Sequence, residues 1–185
     1  LLGFAILMAG MNTMSGSMKP LANEPWFMEL FTKFSNPLFG VVAGAVLTAM
    51  LQSSSAAVGV LQVLSATGAV SFSAAVPIIM GQNIGTTTTA VISAAGANKN
   101  ARRHSFVHLF FNLIGTVIFL LGFYGLNAVF HFSFFDQPAN TFGIAIVHTI
   151  FNIVTTAVLL PFSRVLEKLA IMTVPDDPNE GKEHH

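Results

Sequence analysis

A run of 65 residues without a charged side chain separates Lys33 from Lys99. Two more charge-free runs lie between Arg103 and Asp136 and between Asp136 and Arg164. A soluble domain carries about 25% charged residues, whereas this chain has 9% and a net charge of zero. A segment that lies in lipid is expected to lack charge. The sequence therefore predicts an all-α integral membrane protein, and it excludes a soluble enzyme, a disordered chain and a basic nucleic-acid-binding protein.

The two ends of the sequence differ in character. Residues Leu1–Phe4 have neither a starting Met nor a basic n-region, so we expect a chain that is entered within a hydrophobic segment rather than a signal peptide. We expect residues 174–185 to form a polar, flexible tail. Its last two residues, His184 and His185, resemble the start of an affinity tag. Residues 1–173 are predicted to form one transmembrane repeat.

The first part of that repeat is predicted to hold two helices. Residues 1–18 are apolar apart from small hydroxyls and one Asn, which is typical of a membrane helix. Residues 26–34 have the pattern of an amphipathic helix in the membrane interface, with Trp26 at the level of the lipid headgroups. The predicted apolar side of this helix consists of Trp26, Leu30, Phe31 and Phe34.

The long neutral stretch does not divide into ordinary membrane spans. An apolar segment over Leu38–Leu51 is about 21 Å long as a helix, short of the roughly 30 Å hydrocarbon core. It stops at a polar cluster, Gln52–Ser55, and a second polar cluster occupies residues 81–89. Short helices interrupted in this way predict re-entrant or discontinuous helices over residues 38–97, with new helical pieces starting near Ala56 and Thr88.

Two full spans are predicted after this region, over residues 105–130 and 141–162. A basic loop, residues 98–103, connects the neutral stretch to the first of these spans. It is expected to face the cytoplasm by the positive-inside rule. Two spans then return the C-terminus to the cytoplasm. Both spans carry the pattern V-H-x-x-F-N, which places a His and an Asn on one helix face and predicts polar contacts between the helices. The four residues of these pairs are His108, Asn112, His148 and Asn152.

The two polar clusters have the chemistry of an ion site. Each is predicted to precede a helix, and the free N–H groups of a helix N-terminus suit an anion. Hydroxyl oxygens and carbonyls freed by unwinding suit a small hard cation such as Na⁺. Discontinuous helices hold an anionic substrate beside its coupling cation in this way. Because no acid or base lies nearby, the charge of an anion must be met by dipoles and bound cations.

These same residues carry a resemblance to a known family. The sequence L-Q-S-S-S-A at residues 51–56 resembles the QSSS signature of the type II sodium–phosphate cotransporters. The sequence G-Q-N-I-G-T-T-T-T-A at residues 81–90 is similar to the second motif of that family, G-x-N-I-G-T-T-x-T-A. Residues 36–40 resemble the segment before the first motif, and residues 101–103 and 108–112 resemble the stretch after the second motif. The order and the spacing of the motifs also fit, and the resemblance covers residues 3–162.

The resemblance implies a fold and an activity. It implies sodium-coupled import of inorganic phosphate by alternating access, through the inner membrane of a bacterium. Members of the family contain two inverted repeats with a QSSS motif in each, and bacterial members often carry a regulatory domain of the PhoU type. This chain has one QSSS motif and is more similar to the second repeat. We therefore expect half of an inverted-repeat transporter and half of its site, completed by a first repeat or by a second copy in a homodimer.

The resemblance also implies site residues, with Na⁺ as the coupling ion and no other metal or cofactor. It implies that Na⁺ and phosphate share the two motifs, and the division between the ions is our hypothesis. The phosphate residues are Ser53, Ser54, Ser55, Gly85 and Thr86. The sodium residues are Gln52, Asn83, Thr86, Thr87 and Thr88.

Two other functions fit the same composition. A passive ion or anion channel subunit would need a continuous polar lining, whereas the hydroxyls here cluster in two patches. A structural or signalling membrane module would use the motifs only to pack helices. An enzyme is not expected, because the membrane part contains no carboxylate pair, no thiol and no spacing of nucleophile and base.

Overall fold

The computed structural model of the protein describes residues 1–176, and the regular elements in this range are helices. This confirms the all-α prediction. Short 3₁₀ turns cover Lys19–Asn23, Ala94–Gly96 and Leu160–Phe162. The α-helices are α1 (Leu2–Met18), α2 (Pro25–Phe34), α3 (Pro37–Leu51), α4 (Ser54–Ser65), α5 (Phe72–Ser93), α6 (Lys99–Phe130), α7 (Thr141–Leu159) and α8 (Ser163–Thr173). The predicted polar tail lies outside the described residues from Asp177 onwards.

The chain is a membrane protein by the length and composition of its helices. Among residues 1–176, two helical stretches are long and apolar enough to cross a bilayer, Lys99–Phe130 and Thr141–Thr173. A third crossing results if α2 and α3, which meet at an angle of 107°, together make one span. Large apolar side chains such as Leu121 and Ile153 are exposed on α6 and α7, as expected of surfaces that contact lipid.

Helix α2 buries a different face from the predicted one. Phe27 and Phe31 are 4% and 5% exposed, whereas Trp26 is 56% exposed and Leu30 also lies at the surface. Phe34 packs against the core in part, so the buried positions follow the spacing i, i+4, i+7 of one helix face. Residue Phe27 was missing from the predicted apolar side because the pattern alone does not say which of two adjacent stripes contacts protein.

Helix α5 is the centre of the fold. It contacts α2, α3, α4, α6 and α7, and every residue from 73 to 82 is buried. Its closest neighbour is α3, because glycines lie where the two backbones cross. A Cβ atom at Gly44 would meet the carbonyl oxygen of Ile78, and a Cβ atom at Gly81 would meet the carbonyl oxygen of Val41. Only glycine permits such an approach.

The predicted interruption of the second cluster is wrong. Residues 81–89 lie inside the 22-residue helix α5, and no new helix begins near Thr88. The glycines of this cluster serve the crossing with α3 instead of a turn, as Gly85 packs against Ala45 and Thr48. The threonine hydroxyls donate to backbone carbonyls of their own helix. These polar side chains therefore do not interrupt the helix.

Helices α6 and α7 form an antiparallel pair. The loop of residues 131–140 joins them, as predicted, and the side chain of Asn140 caps α7 by accepting from the N–H of Gly143 at 2.6 Å. The pair packs closely where Gly115 faces Thr155. Next to this contact, the rings of Phe119 and Phe151 meet edge to face with centroids 5.4 Å apart.

Helix α6 begins earlier than predicted. The basic residues 99–103 form its first turn instead of a loop, because the side chain of Asn98 caps the helix by accepting from the N–H of Ala101 at 2.9 Å. Lys99 and Arg103 then contact Asp176 at 2.7 and 3.2 Å. The hydrogen bond from Lys99 and the positive charge of Arg103 hold the pKa of the Asp176 carboxyl below its usual range. The start of α6 and the end of α8 therefore lie at the same end of the helix pair.

Candidate functional site

The first polar cluster forms the turn between α3 and α4. Gln52 has left-handed backbone angles, φ 53° and ψ 27°, and Ser53 is extended. The hydroxyl of Ser53 caps α4 by accepting from the N–H of Ala56 at 3.2 Å. The predicted interruption here is confirmed, although α4 begins at Ser54 and not near Ala56. A non-glycine residue in this conformation carries strain of about 1–2 kcal/mol, which is common at ligand sites.

Gln52 opens onto a cleft beside the second half of α5. Because the glycine crossing holds α3 against α5, the end of α3 comes to lie next to the threonines of the second motif. The cleft has a volume of about 330 Å³. We call it the glutamine cleft. It is lined by Ala49, Gln52, Thr86, Thr89, Ala90, Ile92 and Ser93.

The two threonine hydroxyls that line the glutamine cleft are available as acceptors. The hydroxyl of Thr86 donates to the carbonyl oxygen of Gln82 at 3.0 Å, and the hydroxyl of Thr89 donates to the backbone carbonyl oxygen of Thr86 at 2.8 Å. Both threonine hydroxyls have thus used their hydrogens and retain lone pairs. Lone pairs of neutral oxygens coordinate hard cations. The glutamine cleft therefore has the chemistry of a cation site.

A second cleft lies on the other side of the turn, between the start of α4 and the first half of α7. It has a volume of about 390 Å³. We call it the serine cleft. Charged residues are absent from the lining of both clefts. The serine cleft is lined by Ser54, Ser55, Val58, Ala145, His148 and Thr149.

The serine cleft presents donors. Within residues 1–176, the hydroxyl of Ser54 makes no hydrogen bond, so its hydrogen is available to a ligand. The hydroxyl of Ser55 shares one hydrogen bond with that of Ser53 at 3.3 Å. The N–H groups of Ser54 and Ser55 belong to the first turn of α4 and have no acceptor within the helix. These donors at a helix N-terminus suit an anion.

Several residues of the predicted site line neither cleft. Thr87 is fully buried, and it and Thr88 both donate to the carbonyl oxygen of Ile84. Gly85 is buried under α3. Asn83 lies one turn before Thr86, and its side-chain amide donates to the carbonyl oxygen of Ile79 at 3.0 Å. The structure therefore brings Gln52 together with Thr86, and Ser54 together with Ser55, in two separate places.

A buried glutamine that the sequence did not single out supports the serine cleft. Gln82 is 0% exposed, and its side-chain N–H donates to the carbonyl oxygen of Ala57 at 3.0 Å. This bond ties the first turn of α4 to the middle of α5. Its side-chain oxygen has no partner within the described residues. Three lining residues with hydroxyl groups were also missing from the predicted site, and the first two would have followed from a continuous helical face that starts at Thr86. The missed lining residues are Thr89, Ser93 and Thr149.

The two His–Asn pairs make bonds within their own helices. The side-chain amide of Asn112 donates to the carbonyl oxygen of His108 at 3.1 Å, and that of Asn152 donates to the carbonyl oxygen of His148 at 2.8 Å. In the part of the chain that the structure describes, none of these four side chains forms a hydrogen bond between α6 and α7. Instead, α6 and α7 are held by the apolar contacts of Gly115 and Phe119.

Comparison with known proteins gives one family and several relatives. The model of the Na+/Pi-cotransporter family matches residues 6–146. "Uncharacterized protein YqeW" of Bacillus subtilis (strain 168) is 31% identical over 135 residues, which are 73% of this chain and 43% of the relative. Sodium-dependent phosphate transport protein 2C of Homo sapiens is 41% identical over 85 residues, 44% of this chain and 14% of the relative. No solved structure matches.

A third relative covers nearly the whole chain. "Putative inorganic phosphate export protein YjbB" of Escherichia coli (strain K12) is 24% identical over 187 residues, which are 96% of this chain and 32% of the relative. The chain thus spans less than half the length of each of these three relatives.

Proposed function

Because the chain belongs to the Na+/Pi-cotransporter family, we propose that it forms one repeat of a sodium-coupled importer of inorganic phosphate in the inner membrane of a bacterium. Family membership confirms the resemblance seen in the two motifs. It also confirms that the chain is not an enzyme, since the family is one of transporters. Import follows from coupling, because an inward sodium gradient drives a co-transported anion into the cell. The export named for the Escherichia coli relative is the opposite direction, and the uptake experiment below distinguishes the two.

One observation carries the assignment of the two ions. The accessible hydroxyl of Ser54 is free to donate, whereas the hydroxyls of Thr86 and Thr89 have spent their hydrogens on their own helix. We therefore assign phosphate to the serine cleft and Na⁺ to the glutamine cleft, with the side-chain oxygen of Gln52 among the sodium ligands. The two clefts lie on either side of one turn and contain no fixed charge. A bound cation then offsets the charge of the phosphate, which couples the two ions.

The rest of the transporter is proposed from the length of the relatives. Since the chain spans less than half of each relative, a first repeat or a second copy of this chain completes the site. Both clefts are open at the surface of the chain, as expected of half-sites. Rocking of one repeat against the other would expose the site to each side of the membrane in turn. The C-terminus is assigned to the cytoplasm, where a PhoU-type regulatory domain would bind.

Uptake of labelled phosphate tests the function. Membrane vesicles that contain the full-length natural protein are expected to accumulate phosphate several-fold when sodium is higher outside, and to stop when an ionophore collapses that gradient. Phosphate that merely equilibrates, with or without the gradient, would identify a passive channel. Vesicles with the protein that take up no more phosphate than vesicles without it would favour the structural or signalling module.

Replacing Gln52 with glycine is expected to weaken sodium binding without destabilising the fold. The change removes the amide oxygen from the glutamine cleft, so the sodium concentration for half-maximal phosphate uptake should rise about tenfold. It also removes the strain of a side chain at the left-handed backbone position with φ 53°. The free energy of unfolding of the purified protein should therefore stay equal or rise by up to about 1 kcal/mol. Sodium titration of uptake and thermal unfolding in detergent measure the two effects.

The matched control for this change is His131→Gly. His131 is the other non-glycine residue with positive φ among residues 1–176, at 49°, and it lines neither cleft. This control should show the same small gain in stability and an unchanged sodium dependence. A Gln52→Gly protein with normal sodium dependence would contradict the assignment of Gln52 to the sodium site.

A further inference from the structure

We propose that His148 is a further phosphate-binding residue, which holds the anion from α7 while the start of α4 holds it from the other side. This inference rests on the proposed function, because it concerns the same anion in the serine cleft. It changes the interpretation of His148, which the sequence pattern assigned to contacts between helices.

The first argument is position. His148 lines the serine cleft together with Ser54 and Ser55, although these residues are almost a hundred positions apart in the sequence. Helix α7 contributes two other residues to this lining, Ala145 and Thr149. Ala145 has no polar side-chain atom, and the hydroxyl of Thr149 already donates to the carbonyl oxygen of Ala145 at 2.9 Å. His148 is therefore the residue by which α7 can offer the ligand an unused donor.

The second argument is which ring nitrogen a ligand can reach. Nδ1 of His148 is buried and has no hydrogen-bond partner within the described residues. A ligand in the cleft can therefore reach only Nε2. A neutral imidazole carries its proton on one of the two nitrogens, and an anion favours the form in which the nearer nitrogen is the donor. Phosphate in the serine cleft thus selects the ring with its proton on Nε2.

The third argument is the contrast with the matching histidine of α6. His108 has the same local pattern, and the Asn four residues later bonds to the carbonyl of the His in both helices. That shared bond uses the backbone of each His and explains the Asn, but it does not involve the imidazole. His108 is exposed and lines neither cleft. The fold therefore separates two histidines that the sequence makes look equivalent.

Two substitutions distinguish binding from packing. His148→Gln keeps an N–H donor near the position of Nε2 but loses the ring, and His148→Phe keeps the volume of the ring but loses the donor. We expect the phenylalanine variant to raise the KM for phosphate about tenfold, as for a lost hydrogen bond to a charged ligand. The glutamine variant should raise it less than about threefold. The sodium concentration for half-maximal uptake should not change in either. A packing role predicts the reverse order.

The measurement is the initial rate of labelled-phosphate uptake by the full-length natural protein, normalised to its amount in the membrane. His108→Phe is the matched control and should leave both constants unchanged. If His148→Phe does not reach the membrane, His148→Asn replaces it, since its amide lies near the buried Nδ1 position and should also raise the KM about tenfold. A normal KM for phosphate in His148→Phe, or in His148→Asn where that variant replaces it, overturns this inference and leaves the proposed function standing. A wild-type protein without sodium-dependent uptake overturns the proposed function and this inference with it.

Discussion

Replacing Gly81 with alanine is expected to prevent α3 from packing on α5 and so to destabilise the whole protein. The new Cβ atom would meet the carbonyl group of Val41 and would lie 2.9 Å from the backbone nitrogen of Ala45. Backbone atoms cannot move aside as a flexible side chain can, so the helices must separate. We expect a loss of about 3 kcal/mol in the free energy of unfolding. Thermal unfolding in detergent and the yield of monodisperse protein measure this loss.

Gly59→Ala is the matched control, because Gly59 lies inside α4 and a Cβ atom added there would have open space for 4 Å around it. Since alanine favours a helix over glycine by up to about 1 kcal/mol, this variant should be as stable as the wild type or slightly more so. A Gly81→Ala protein that unfolds at the same temperature as the wild type would show that α3 and α5 do not cross as described.

Replacing Ser54 with alanine is expected to produce the largest loss of function among the changes that leave the fold intact. The hydroxyl of Ser54 makes no hydrogen bond within residues 1–176, so its removal costs the protein little stability. The variant loses the donor that we assign to phosphate, and a hydrogen bond to a charged ligand contributes about 1.5–3 kcal/mol. The KM for phosphate should therefore rise at least tenfold. Labelled-phosphate uptake by the full-length natural protein measures it, together with the amount of protein in the membrane.

Substitutions of two other serines distinguish a lost phosphate contact from a general effect of removing a hydroxyl and from a loss of stability. Ser105→Ala removes a hydroxyl that donates to the carbonyl oxygen of Ala101 in α6, away from both clefts, and should leave uptake unchanged. Ser53→Ala removes the cap of α4, so it should lower stability by about 1 kcal/mol. A Ser54→Ala protein with normal phosphate uptake and normal sodium dependence would refute the assignment of phosphate to the serine cleft.

The turn at the first motif was predictable from the sequence because its signal is local. Four polar residues between two apolar segments that are each too short to span a membrane leave few alternatives to an interrupted helix. The structure limits the interruption to Gln52 and Ser53. The cap by Ser53 is also local, since a serine at this position accepts from an N–H group three residues later.

The helical structure of the second motif was not predictable in the same way, because its glycines pack against α3, a helix that is distant in the sequence. Gly81 and Gly85 have the composition of an unwound segment, but each lies against the backbone of α3. The sequence contains the matching residues, Gly40 and Gly44, at the same spacing of four. Recognising the two pairs as one crossing requires knowing that α3 and α5 are neighbours. Without that knowledge, the sequence does not distinguish hydroxyls that bond to their own helix from hydroxyls that are available to bind an ion.

The composition of the serine cleft was hidden for a related reason. Ser54 and Ser55 stood out because they are consecutive and polar, whereas His148 and Thr149 are isolated polar residues in an apolar helix. Most such residues in membrane helices bond to their own backbone, as Thr149 does. Only the placement of α7 beside the start of α4 makes His148 part of the same cleft.

The glycine crossing of α3 and α5 also limits how the protein can move. Any sliding of one helix along the other drives carbonyl oxygens against Cα atoms, as at Gly44 and Gly81, so the two helices can only travel as one solid piece. Gln52 and Thr86 both belong to this piece, so the distance between them is fixed. In the sodium site that we propose between these two residues, an ion therefore cannot be released by pulling α3 from α5. Its exit must be opened by a part that moves over the piece from outside.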